Sequence, residues 1–275
     1  MCKNPEEIDV GTWEEFNAGL ETLSAQPNTA QFSDLPLPLL FRGQENSIWP
    51  LSTTLERNGL QNMPFHDYYR IIARVKPQIE SFTGKEWQIP SYPEVEKECQ
   101  EFDGFSLKLT FGRLPGYAYM AYLRHHGFPS PLLDWSRSPF VAAYFAFNRP
   151  PAKMGDKVSI YVFSEARTRG GSNQQAFIHR LGPYVGTHKR HFLQQSEYTM
   201  SAIFDSGWRF SRYEEAFYAH SLNQDRFWKF NIPSSERTKV LTLFDKYNLN
   251  ALSLFESEES LMETLASREF QRERP

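Results

Sequence analysis

The segment Phe140-Val-Ala-Ala-Tyr-Phe-Ala-Phe147 constrains the fold more than any other part of the chain. Ser138 and Pro139 stand just before it. Serine caps a helix well and proline is preset for a first turn, so a helix is expected to begin there. That helix is apolar around its whole circumference, and such a helix is stable only when the protein surrounds it. Its eight residues are far fewer than the roughly 20 that cross a bilayer, so the covering layers must come from the chain itself. A length of 275 residues allows one elaborated domain to supply them. So does an aromatic content of 15%, with 23 Phe, 13 Tyr and 6 Trp. Charged residues at 23% exclude intrinsic disorder. A net charge of −3 excludes a globally basic nucleic-acid binder and leaves room only for a local basic face.

The two cysteines, Cys2 and Cys99, make no disulfide framework, and no Cys/His pair has zinc spacing. His125 and His126 are adjacent, about 100° apart on a helix, so they cannot serve one site together, and no metal is expected. The first residues carry no apolar run of the signal-peptide kind, so a cytoplasmic location without membrane contact is expected. Thr12 and Glu15 form a capping box that opens a helix with Trp13, Phe16 and Leu20 on one face. Leu39 to Arg42 reads as a short strand ending at Gly43. Further helices are expected over 66–77 and 117–126, and 82–105 reads as an irregular insertion. Strands are expected over 158–163, 198–204 and 227–232, then helices near 237–247 and 257–270. Helices first and strands later point to an α+β domain rather than a doubly wound sheet.

Two stretches are too specific to be generic. One is Phe41-Arg42-Gly43-Gln44, followed by Trp49-Pro50-Leu51 and Thr54-Leu55-Glu56-Arg57. The other runs His126-Gly127-Phe128-Pro129-Ser130-Pro131-Leu132-Leu133-Asp134-Trp135-Ser136-Arg137-Ser138-Pro139. Together they resemble the FRG domain family, named for its Phe-Arg-Gly motif. Arg190 to Thr199, with Gln194-Gln195, and Asn248 to Ser257, read as a closing strand and helix, extend the resemblance. It covers about residues 10–265 and implies a single domain over 1–275.

An arginine at a strand end followed by glycine offers a planar fork for a phosphate and leaves the backbone open to a ligand. Ser136-x-Ser138 follows on a loop that opens a helix, and Gln195-x-Glu197 at a strand start projects both side chains to one side. The order is similar to the Arg, Ser and Glu arrangement of ADP-ribosyltransferases. That resemblance implies a mixed, split β-core with N- and C-terminal helices. It also implies NAD as co-substrate and transfer of ADP-ribose to a macromolecule, or NAD hydrolysis. Arg42 would grip the phosphates or ribose beside Gly43 and His126. Trp135, Ser136, Ser138 and Tyr144 would shape the nicotinamide pocket, Gln195 would position the acceptor, and Glu197 would steady the cation. Cleaving the nicotinamide–ribose bond passes through an oxocarbenium-like state, and a fixed carboxylate beside it supplies electrostatic stabilisation. By analogy the chain is a toxin or anti-phage defence effector, with a neutralising antitoxin as partner.

Each residue also has a plainer reading. Arg42 can instead neutralise a buried carboxylate such as Asp134; Trp135 and Tyr144 can be core, and Glu197 a solvated strand residue. The basic run His188-Lys189-Arg190-His191, with Tyr184, Phe192, Tyr198, Trp208 and Phe210 near it, offers a contact for an RNA, DNA or protein acceptor. The alternative from another class is a non-catalytic nucleotide or nucleic-acid sensor that uses the Arg42 and Trp135 pocket without turnover.

Overall fold

A computed structural model describes residues 5–25, 39–101, 114–153, 156–165, 176–182, 186, 189–217 and 225–270. In chain order its elements are β1 (Glu6–Asp9), α1 (Trp13–Ala25), β2 (Leu40–Gln44), α2 (Thr54–Arg57), α3 (Phe65–Thr83), α4 (Tyr92–Glu98) and α5 (Tyr117–His125). Next come β3 (Leu133–Ser136), α6 (Pro139–Phe147), β4 (Lys157–Ser164), β5 (Phe177–Arg180), α7 (Lys189–Leu193), β6 (Ser196–Phe204) and β7 (Trp208–Phe210). The chain continues through α8 (Tyr213–Phe217), β8 (Arg226–Pro233), α9 (Arg237–Lys246), α10 (Ala251–Phe255) and α11 (Glu258–Phe270). The strands form one mixed sheet in the order β1-β8-β4-β2-β3-β6-β5, with β7 also on β6. Only β1 and β8 run parallel among these pairs. The class is α+β.

The apolar segment is helix α6, and the layers expected around it are there. Ser138 caps it by accepting a hydrogen bond from the Val141 N–H at 3.3 Å. Val141, Ala142, Ala143, Ala146 and Phe147 are buried against Trp13 and Phe16 of α1, Phe230 and Ile232 of β8, and Val240 and Phe244 of α9. Each fully buried Phe or Val in that layer contributes about 1.5–3 kcal/mol. The enclosure is incomplete on one side, where Phe140 is exposed and Phe145 is half-buried. A second core joins α3 and α5 to β6, and a third packs Leu40, Leu133, Trp135, Tyr161 and Phe163 with Tyr213 and Phe227.

Several boundaries differ from expectation. Leu133–Ser136 is a strand, although its motif reads as a loop, and β1, β5 and β7 gave no usable signal. Strands of three or four residues hold barely one turn of the alternation by which strands are recognised. α3 runs through Pro77 to Thr83, and α4 lies inside the segment read as irregular. Residues 248–257 hold a short helix where a strand and helix were expected. Among the described residues no helix is long and apolar enough to cross a membrane.

Candidate functional site

β2 and β3 are neighbours at a single register position, Phe41 opposite Ser136. Beyond it the strands part, and a cleft of about 630 Å³ opens between them. β2 supplies Phe41, Arg42, Gly43 and Gln44; the following loop supplies Trp49, and α2 supplies Arg57. Asp134, Trp135 and Ser136 of β3 line the other side, with Phe145 on α6 and Gln194 and Ser196 near the start of β6.

Arg42 spans the parted strands. Its Nη1 donates to the Asp134 backbone carbonyl and to Asp134 Oδ1, both at 2.7 Å. Arg124, reaching from α5, donates to the same Oδ1 at 2.8 Å. Asp134 is thus the carboxylate that Arg42 neutralises, and it stays accessible, with 45% of its side chain exposed. Burial alone would raise the Asp134 pKa, but the guanidiniums of Arg124 and Arg42 and the Arg124 hydrogen bond outweigh it and hold the group well below the usual carboxylate range. Asp134 in turn raises the pKa of Arg124, against the effect of burial. Arg57, also on the cleft wall, donates to the Ser52 carbonyl at 2.8 Å. Burial, then repulsion from Arg42 and Arg124, lowers its pKa. At the far end Arg149 pairs with Glu45 at 3.4 Å.

Gly43 has a different reason to be glycine than ligand access. A Cβ there would sit 1.9 Å from the Ala142 carbonyl oxygen and 2.7 Å from the Ala146 amide nitrogen, so the residue lets α6 lie directly on β2. The alternation of β3 sends Leu133 and Trp135 into the third core, while Ser136 lines the cleft. Trp135 is 3% exposed, and its indole N–H donates to Thr199 Oγ1 at 2.8 Å. It is a core residue that touches the cleft. The Ser136 hydroxyl donates to the Gln194 carbonyl at 2.7 Å and accepts from the Ser138 amide at 3.0 Å. Ser138 is spent on the helix cap and is outside the lining.

Glu197 is not in this cleft. It pairs across the sheet with Trp135, and directly paired residues share a face, so it turns away from the side where Ser196 lines the cleft. Its carboxylate is wholly buried and bonded by Arg137 and by Arg180, whose Nε and Nη2 donate at 2.5 and 2.8 Å. Gln195 precedes the strand, in a turn with φ of 48°, and is exposed; its carbonyl accepts from the Arg137 amide at 3.0 Å. Gln194 is the glutamine on the cleft wall.

Tyr144 faces the core and reaches Glu263 of α11 at 3.5 Å, leaving its neighbour Phe145 to the cleft. His126 is exposed at the end of α5, against the Tyr122 ring, and outside the lining. Its pKa is lowered by partial burial and by Lys85 and Arg190. The described part of the basic run is engaged by the chain's own residues, with Lys189 still exposed. Lys189 pairs with Glu256 at 2.8 Å, Arg190 lies over the Phe255 ring and His191 stacks on Tyr198. His188 and Tyr184 lie outside the described residues. Of the aromatics near it, Tyr198, Trp208 and Phe210 are buried and Phe192 is exposed.

Arg57, Arg124, Phe145 and Gln194 are therefore the site residues that motif reading passed over. Arg57 stood in the quoted Thr-Leu-Glu-Arg run and could have been found there. Among the described residues no group of three His, Cys, Asp or Glu is placed to hold a metal ion. No curated protein and no solved structure matches the chain. Residues 38–154, which run from just before β2 to past α6 and carry most of the cleft wall, match the model of the FRG domain.

Proposed function

We propose that the chain is a nucleotide-binding domain whose ligand occupies the cleft between β2 and β3. The observation that carries this reading is the pair of guanidiniums, Arg42 and Arg124, on Asp134, with a third, Arg57, on the same cleft wall and bonded elsewhere. Asp134 Oδ1 bonds Arg42 and Arg124 but not Arg57, whose exposed guanidinium on the cleft wall is repelled by both arginines and is offset in part by Asp134 and Glu56. A phosphate beside Arg57 relieves that repulsion and accepts a charge-assisted bond. Trp49, half exposed at the mouth, and Phe145 on the opposite element offer flat walls for a base. The volume falls within the range typical of small-ligand clefts.

A second reading, NAD-dependent ADP-ribosyl transfer to a nucleic acid or protein in a toxin or phage-defence setting, is favoured by one feature. Arg42 and Ser136 line one cleft, as the motif resemblance implies. The resemblance assigns the carboxylate beside the bond being broken to Glu197, which is wholly buried, paired with Arg137 and Arg180, and outside the cleft lining. Binding without turnover is therefore the better supported of the two.

Calorimetric titration of the full chain with AMP, ADP-ribose and NAD tests the proposal, with nicotinamide release from NAD followed in parallel. Saturable binding is expected, weakened about tenfold or more in Arg57→Ala, with no nicotinamide released. Release by the natural chain that Glu197→Gln abolishes would replace this reading with the transferase.

A further inference from the structure

The two oxygens of Asp134 are not equivalent. Oδ1 takes both guanidiniums, from Arg42 and from Arg124, while Oδ2 takes neither. The residue lines the cleft with nearly half of its side chain exposed. Chemistry narrows what can meet the second oxygen. A cation is repelled by the surrounding arginines, an anion by the carboxylate, and an apolar group would strip water from a charge without replacing its hydrogen bonds. A neutral hydrogen-bond donor remains. Within a nucleotide the neutral donors are the sugar hydroxyls and the amino groups of the base. The sugar is the part joined directly to the phosphate, and Asp134 sits within the arginine group assigned to the phosphate. The base belongs farther out, at Trp49.

We infer that Asp134 Oδ2 accepts hydrogen bonds from the ribose hydroxyls of the bound nucleotide, so that the cleft selects ribonucleotides over their deoxy counterparts. The inference rests on the nucleotide-binding reading and names its substrate class. Arg42 and Arg124 act here as positioning residues: by holding Oδ1 from two elements they fix the direction in which Oδ2 points. A carboxylate accepting from a vicinal diol is a common way to recognise ribose, because both hydroxyls can be oriented toward one oxygen.

The test is a set of titrations on the natural chain with AMP, 2′,3′-dideoxy-AMP and IMP. Loss of the hydroxyls is expected to weaken binding about 10- to 100-fold, the range for a hydrogen bond to a charged group. IMP, in which a carbonyl replaces the amino group and N1 carries a hydrogen, is expected to bind as AMP does. In Asp134→Asn the gap between AMP and the dideoxy compound is expected to narrow, and the ligand-side comparison stands even if that variant folds poorly. Equal binding of AMP and the dideoxy compound overturns the inference while leaving the nucleotide-binding reading intact. Selective loss of IMP binding overturns it in favour of a base contact. Failure of all three to bind removes the nucleotide-binding reading itself, and the inference with it.

Discussion

Asp134 on β3 and Glu197 on β6 keep the same chemical company and are put to different ends. Each carboxylate is bonded by two guanidiniums, one of them from the segment 117–137. Asp134 lines an open cleft with 45% of its side chain exposed, and Glu197 is sealed at 0%. Pairing and parity separate them. Glu197 lies opposite Trp135, so it inherits that residue's inward face, whereas Asp134 and Ser136 alternate with Trp135 and meet the gap left by β2. Charge pairing by itself therefore does not mark a functional carboxylate. What marks Asp134 is a pair of arginines on one oxygen, no guanidinium on the other, and a place on the cleft wall.

The sealed pair is where substitution should cost most. Glu197→Ala leaves Arg180, itself 8% exposed, without its buried counterion. Breaking a buried pair of this kind typically costs about 3–5 kcal/mol. Asp134→Ala also strands two arginines, but water can enter from the cleft, and the expected loss is smaller, about 1.5–3 kcal/mol. Urea denaturation of the two variants beside the natural chain reads the difference. Equal losses would mean that exposure does not separate the clusters and would break the comparison.

How far this was legible in the residues depends on the length of pattern each element offered. Helix α6 was readable because Ser138, Pro139 and an unbroken apolar run all agree. Long strands such as β4 and β6 were readable for the same reason. β3 was not, since Leu-Asp-Trp-Ser is too short to show a period, and once it was read as a loop the face of Glu197 could not be fixed. Gln195-x-Glu197 has the correct parity for two residues on one side, but nothing local reveals that Ser196 and not Glu197 faces the cleft, since that is decided by pairing with β3 across some 60 residues of chain. Arg42 was expected at a strand end and instead lies in the middle of β2, which runs on through Gly43 to Gln44; its partner Asp134 was among the alternatives. The role of Gly43 was hidden because the helix that presses on it lies about 100 residues later.

Acid sharpens the contrast from the other side. The Asp134 carboxyl is held below its ordinary range in the folded chain, so the folded state binds fewer protons there than the unfolded state. The stabilisation is fully present above the unfolded pKa, about 4, and is lost as pH falls from there toward the folded value. Asp134→Asn is expected to lose less stability than the natural chain between pH 4 and pH 2, followed as urea midpoints at successive pH values. Parallel curves for the two proteins would show that the arginine pair does not depress this group.

The smallest effect is expected where the cleft meets the cap of α6, at two serines of one motif. Ser138→Ala removes a helix cap and should cost about 1 kcal/mol, with nucleotide affinity unchanged because its hydroxyl serves Val141 and not the cleft. Ser136→Ala removes a bond to the Gln194 carbonyl and an acceptor for the Ser138 amide, for a similar loss of about 1 kcal/mol. Ser136 also lines the cleft and ties β3 to the turn that carries Gln194, so its loss should weaken nucleotide binding severalfold. The informative measurement is thus affinity at matched stability: both variants melt alike, and only Ser136→Ala binds less well. If Ser138→Ala weakens binding as much, the cap and the cleft move as one unit, and the parity that separates ligand-facing from structural residues on β3 does not extend into the loop that follows it.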